Sequence, residues 1–266
     1  MAAQVIARAG GAGLCKTQRA DAWWVGPLVT ALVLGSFIAY TTFRVLYNDE
    51  YHLGRTTEHF PDHAYLLSPM YSPLIILPWL PHWISPALLI LWMPGGFRVT
   101  CYYYRKAYYR AFFLDPPGCA VGEAQGPRYK GETRMLLFQN LHRYFLYCAL
   151  AFLVILSADV VYACIWPDGD GLRFGVSVGT LVLAANVAFL AMYTFSCHSL
   201  RHLVGGSVDC FSCVALGAAR YKLWTGASAL NRHHMFWAWA SLIMVVFADV
   251  YVWMIASGRW TDLRIL

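Results

Sequence analysis

The run CHSLRH, Cys197 to His202, is followed by LVGGSVD and then by CFSC, Cys210 to Cys213. His198 and His202 stand four residues apart, so on a helix their imidazoles share one face and can hold one ion. Cys210 and Cys213 offer two thiolates on a turn, and Gly205-Gly206 lets the chain fold back towards the helix. Two imidazoles with two thiolates suit a tetrahedral zinc site or a Rieske-type 2Fe–2S cluster, in which two His replace two Cys on one iron. The predicted metal ligands are therefore His198, His202, Cys210 and Cys213, with His234, Cys197, Cys101 and Cys119 in reserve. The spacing is not the usual Rieske one. The bland alternative is a loop with free thiols, beside helix-end histidines that meet lipid headgroups.

Other residues widen the range of chemistry. His142, His202 and His234 open or close three different apolar runs, as a single b-type haem would require. No histidines match them at the opposite ends, so two stacked haems are not expected. His52, His59, His63 and His82 fall in or beside one loop and are read as solvated. Asp159 and Asp249 each occur as Ala-Asp-Val inside an apolar run. Ionisable residues in such places are functional candidates because burying them is costly. Their two readings are proton conduction, or structural pairing with Asn186, Tyr162 or water.

The elements that must position these groups are membrane helices. Of 266 residues, 59% are hydrophobic and only 13% are charged. An ordinary soluble domain carries about a quarter charged residues and could not hide so much apolar surface. Five runs are long enough to cross roughly 30 Å of hydrocarbon. They cover about Trp23 to Leu46, Ser85 through the Tyr102–Tyr104 run, Leu137 to Ile165, Phe174 to Val204, and His234 to Ser257. Continuous apolarity without a period of two favours helices over a barrel. The second run is expected to kink at Pro94-Gly95-Gly96. Met70 to Leu80, broken by Pro73 and Pro78, reads as a surface or re-entrant segment.

The fold class is thus an all-α integral membrane bundle of about five transmembrane helices. Residues 1–22 form an N-terminal arm ahead of a helical domain over residues 23–266, with loops at 104–136 and 204–233. A mitochondrial presequence is the competing reading of the arm. Arg105, Lys106, Arg110, Arg128, Lys130 and Arg134 fill one loop, and Arg220, Lys222 and Arg232 the other. Asp49, Glu50, Glu58, Asp62, Asp168 and Asp170 lie in the loops between. By the positive-inside rule the N-terminus and both basic loops are cytoplasmic. An exposed structural disulfide is disfavoured there, because that compartment keeps thiols reduced. Phe97 to Glu123 is basic and aromatic, which suits an interfacial segment or a docking surface for a soluble partner. Nucleic acid is not an expected partner, since the positive residues are all close to the membrane.

TCYYYRKAYYRAFF, DPPGCAVGE, QNLHRYFLY, YTFSCHSLRHLVGG and LNRHHMFWAWASL together resemble the membrane-anchor subunit of an actinobacterial-type succinate dehydrogenase, respiratory complex II. The resemblance covers most of the chain from the first helix onward. It implies a haem-free anchor with a membrane-embedded Rieske-type cluster. It also implies flavoprotein and iron–sulfur subunits docked on the cytoplasmic face, in the cell inner (plasma) membrane. Electrons from succinate would pass through them and this chain to a quinone, menaquinone by the same resemblance. A quinone site needs an apolar cleft with a few polar groups, for which His142, Arg143, Tyr144 and Trp237 stand at suitable depth. Nothing in the chain looks like a flavin or dicarboxylate site, so succinate oxidation is expected to belong to a partner. Three alternatives remain: a b-type cytochrome anchor, a structural anchor clamped by zinc, and a transporter, which would predict inverted repeats.

Overall fold

In the computed structural model, residues 13–54, 64–81, 83–123, 140–168 and 171–266 are described. Arg128, Lys130, Arg134, Glu58, Asp62, Asp170, His59, His63, His82 and the start of the third predicted span lie outside these residues. The fold is an all-α membrane fold. Among the described residues, four helices are long and apolar enough to cross a membrane: Val25–Tyr47 (α1), His142–Ala163 (α5), Val178–Phe195 (α6) and His234–Ala256 (α9).

The second predicted span is built from pieces: Pro86–Ile90 (α2), Trp92–Val99 (α3) and Tyr102–Tyr108 (α4). Ser85 caps α2, its hydroxyl accepting from the Ala87 amide, with Pro86 in the first turn. The expected kink at Pro94-Gly95-Gly96 is absent, since α3 runs through all three residues. The interruption falls at Leu91 instead. Pro94 has no amide to give the Ile90 carbonyl, and its ring crowds that carbonyl, so the irregularity falls a turn earlier. Gly96 serves close packing, because a Cβ there would come within 2.3 Å of the Phe145 ring on α5.

The chain forms two compact units, one within Met1–Arg44 and Arg98–His142, the other within Val45–Phe97 and Arg143–Leu266. In the first, the described part of the arm, from Gly13 on, is tied down. Cys15 N–H donates to Gly122 O at 2.9 Å, Gly122 N–H to Lys16 O at 2.8 Å, and Thr17 Oγ1 to Ala120 O at 2.7 Å.

The second unit has its core between α6 and α9, where Val182 and Leu183 meet Ala248, Val252 and Ile255. Leu53 and Leu66 join that core from a small antiparallel ladder, His52–Leu53 (β1) with Leu66–Leu67 (β2). The chain after β2 dives inward: Ser68, Tyr71 and Ser72 have no exposed surface. The burial ends at Ser72, and Ile75, Ile76 and Trp79 are exposed, so the rest of Met70 to Leu80 lies on the surface of the chain. A second ladder, Ile165–Asp168 (β3) with Gly171–Phe174 (β4), closes the turn between α5 and α6. At the start of α6, Ser177 and Thr180 form a capping box, and Asp262 Oδ1 accepts from the Gly179 amide at 2.8 Å. A carboxylate suits a helix N-terminus, where unpaired amides carry partial positive charge.

Candidate functional site

The predicted ligand set is not assembled. Cys210 and Cys213 are joined in a disulfide, contrary to the expectation for this loop, so neither has a thiolate to give an ion. His198 and His202 are both exposed, on the short helix His198–Arg201 (α7) and the π-helical turn His202–Gly206 that follows it. Among the described residues no three His, Cys, Asp or Glu side chains converge as a metal site. These four residues do not fit a cluster or a zinc ion.

The reserves behave differently. Cys197 is a thiol outside any disulfide, 2% exposed, at the N-cap of α7 with extended backbone (φ −65°, ψ 137°). It ends α6 because its backbone leaves the helical region. Its amide still reaches the Thr194 carbonyl at 3.2 Å, and its carbonyl takes the Arg201 amide at 3.1 Å. The residue before it, Ser196, is fully buried, and its Oγ donates to the Tyr193 carbonyl. Oγ also bonds His234 Nδ1 at 2.6 Å. The bond fixes the ring's orientation and leaves Nε2 as the nitrogen outside this contact. The Tyr193 ring stacks on His234 at 5.2 Å, and the Asn231 amide holds the Ser196 carbonyl at 2.7 Å.

The first unit repeats this arrangement. Cys101 is likewise a thiol outside any disulfide, 3% exposed, at the N-cap of α4, with φ −64° and ψ 129°. Its amide reaches Arg98 O at 3.1 Å and its carbonyl takes the Arg105 amide at 2.9 Å. Thr100, just before it, is buried, and its Oγ1 lies 2.9 Å from His142 Nδ1. A π-helical turn, Tyr109–Phe113, follows α4 as His202–Gly206 follows α7. Each half therefore consists of a hydroxyl residue, a buried cysteine at a helix break, and a histidine opening the next long helix. Each such helix carries Ala-Asp-Val towards its far end. The second unit also contains the contact of Phe97 with Tyr193, at 5.4 Å; each stands four residues before a break cysteine.

The predicted quinone residues are scattered. His142 is buried against Thr100, whereas Arg143 and Tyr144 are exposed. Trp237 on α9 is half-buried between Phe189 and Phe236, and its Nε1–H is buried without a hydrogen-bond partner among the described residues. An apolar cleft of about 440 Å³ runs along the same face, lined by Phe189, Phe236, Trp239, Ile243, Met244 and Phe247. The aspartates are latched to the buried segment after β2, not to the expected Asn186 or Tyr162: Ser68 donates to Asp249 Oδ1 and Ser72 to Asp159 Oδ2. Cys119, the remaining reserve, is exposed, and its carbonyl takes Arg19 Nη1 at 2.9 Å.

A helical membrane chain of this kind has known counterparts. The family model for the actinobacterial succinate dehydrogenase subunit SdhC matches residues 25–258. This chain belongs to that family. It is a membrane-anchor subunit of succinate dehydrogenase, as an SdhC chain is. Among solved structures it is similar to a chain of the Mycobacterium smegmatis Sdh1 complex in the apo form, with 38% identity and a TM-score of 0.81. The match covers 96% of this chain and 100% of the other. No curated protein matches it. Local density of ligand types along this SdhC sequence points to the CHSLRH and CFSC runs and ranks the break cysteines second. The signal that finds them is periodic: Thr-Cys and Ser-Cys each close an apolar run, and a histidine opens the next long one.

Proposed function

We propose that this SdhC chain carries electrons from succinate to a quinone through a Rieske-type 2Fe–2S cluster. It would receive them from an iron–sulfur subunit that docks, with a flavoprotein subunit, on the cytoplasmic face of the plasma membrane. The observation that supports this reading is a buried thiol in each unit, next in sequence to a hydroxyl bonded to a helix-opening imidazole. Cys197 follows Ser196, which bonds His234, in one, and Cys101 follows Thr100, which bonds His142, in the other, although no three of these groups converge among the described residues. Thiolate and imidazole are the donors of a Rieske-type centre, in which Cys holds one iron and His the other. Such a centre supplies one-electron transfer at a higher potential than an all-cysteine cluster. The chain itself excludes water from the thiols and fixes each ring through Nδ1. Trp237 Nε1–H, buried beside the cleft residues Phe189 and Phe236, would donate to a quinone carbonyl; the quinone is menaquinone by the resemblance.

The decisive experiment is EPR on the dithionite-reduced complex, purified gently with its partners and paired with an optical spectrum. Expected is the low average g of a His-ligated 2Fe–2S centre without a haem Soret band. Cys197→Ser should abolish that signal, while succinate oxidation with a soluble acceptor continues. A Soret band would transfer the histidines to haem. Zinc with neither signal would leave a structural anchor. Trp237→Phe should raise KM for the quinone about tenfold at unchanged kcat, the loss of one hydrogen bond.

A further inference from the structure

We propose that Cys210 and Cys213 form a reversible dithiol–disulfide site, addressed by a cytoplasmic dithiol and separate from any cluster. Three observations converge on this loop. The two sulfurs are bonded to each other, with Cys213 exposed and Cys210 half-buried. The loop is bordered by Arg201, Arg220, Lys222 and Arg232, the charge pattern of a cytoplasmic loop. Disulfides in that compartment are characteristically transient and redox-responsive rather than structural. The loop is also coupled to its surroundings through Phe211, the residue after Cys210. The Phe211 ring meets Tyr221 at 5.4 Å and Trp224 at 6.1 Å on the helix Gly217–Asn231 (α8). A Cβ at Gly205 would lie 2.8 Å from that ring, and one at Gly217 would lie 1.6 Å from the Phe211 carbonyl, so both glycines make room for it. Arg201 of α7 lies over Trp224 at 5.4 Å. Phe211 thus packs on α8, whose Trp224 in turn carries Arg201 of α7.

The exchange step balances. A thiolate of the dithiol attacks the exposed Cys213 sulfur; the Cys210–Cys213 bond breaks and a mixed disulfide forms on Cys213. Cys210 leaves as a thiolate, with the Ser212 hydroxyl 3.3 Å away to donate to it, and then takes a proton. The second thiolate of the reagent attacks its own bound sulfur and releases Cys213. Two electrons and two protons pass to the pair, and the reagent departs as a disulfide. An oxidised dithiol of the same class reverses the sequence.

The test uses the intact complex in native membranes, equilibrated with reduced or oxidised dithiothreitol, then alkylated and digested for mass spectrometry. Expected is alkylation of both cysteines after reduction, of neither after oxidation, and recovery on returning to the first buffer. Amide exchange across Gly205–Trp224 should rise about threefold on reduction as the packing loosens. A Cys210→Ser/Cys213→Ser variant should show the higher exchange in both buffers with unchanged iron content. Resistance to dithiothreitol at every concentration, alkylation in both buffers, or loss of iron from the variant would each overturn the proposal. None of these readouts is the EPR signal, so this site and the proposed cluster fail independently.

Discussion

Ser196 Oγ lies 2.9 Å from the Tyr193 carbonyl and 2.6 Å from His234 Nδ1, so one hydroxyl holds the orientation of a half-buried imidazole. Ser196→Ala should leave the fold intact, since the Asn231 amide still holds the backbone carbonyl of the break. The ring would lose its orientation, and the EPR spectrum of the reduced complex should broaden or shift. Ser196→Thr should restore it, as Thr100 performs the same task for His142. An unchanged spectrum in the Ala variant would remove His234 from the ligand set. A second residue reports on pH. Burial holds His52 below the ordinary histidine value, partly offset by the charge of Asp49, and its Nδ1 is buried without a partner among the described residues. The unfolded chain then binds a proton more readily than the folded one. Stability is fully present above about pH 6.5 and falls as pH drops below it towards the depressed folded value. The thermal midpoint in detergent should decline on that acid side, and His52→Phe should flatten the decline.

At the scale of elements, two helices are fastened through one short segment. Ser68 reaches Asp249 on α9 and Ser72 reaches Asp159 on α5, so the buried turn is pinned at both ends by carboxyls inside spans. Ser68→Ala removes a partner from a fully buried carboxyl and should cost about 1–3 kcal/mol, read as a lower thermal midpoint. If the aspartates only latch, Asp249→Asn should keep turnover while losing stability. Slowed quinone reduction at unchanged stability would instead mark a proton route. The spans themselves are legible because continuous apolarity is a strong signal; among the described residues, four of the five expected runs contain a helix long and apolar enough to cross. The other breaks up at Leu91 and Thr100-Cys101, since a proline acts a turn upstream and a cysteine N-cap has no distinctive composition. The partners Ser68 and Ser72 lie 181 and 87 residues from their aspartates, a separation no local pattern encodes. The predicted ligand set fails for a related reason. Density along the chain favours Cys210 and Cys213, whereas burial singles out Cys101 and Cys197, and burial follows from packing.

For the molecule as a whole, each compact unit contains, among the described residues, a helix break that carries a cysteine, Cys101 in one and Cys197 in the other. From Pro86 to Val99 the chain covers about 21 Å at the helical rise, and from Val178 to Phe195 about 27 Å. The hydrocarbon of a typical bilayer is roughly 30 Å thick. The run from Pro86 to Val99 is shorter than that thickness, whereas α6, like α1, α5 and α9, is long enough to cross. The lipid then bears on how dry the break at Thr100 is. A thinner, short-chain membrane would bring the headgroup boundary and its water nearer to that break, and a thicker one would cover it with more acyl chain. Membrane thickness becomes a variable that tunes the dielectric around the buried Cys101 thiol without altering a single residue.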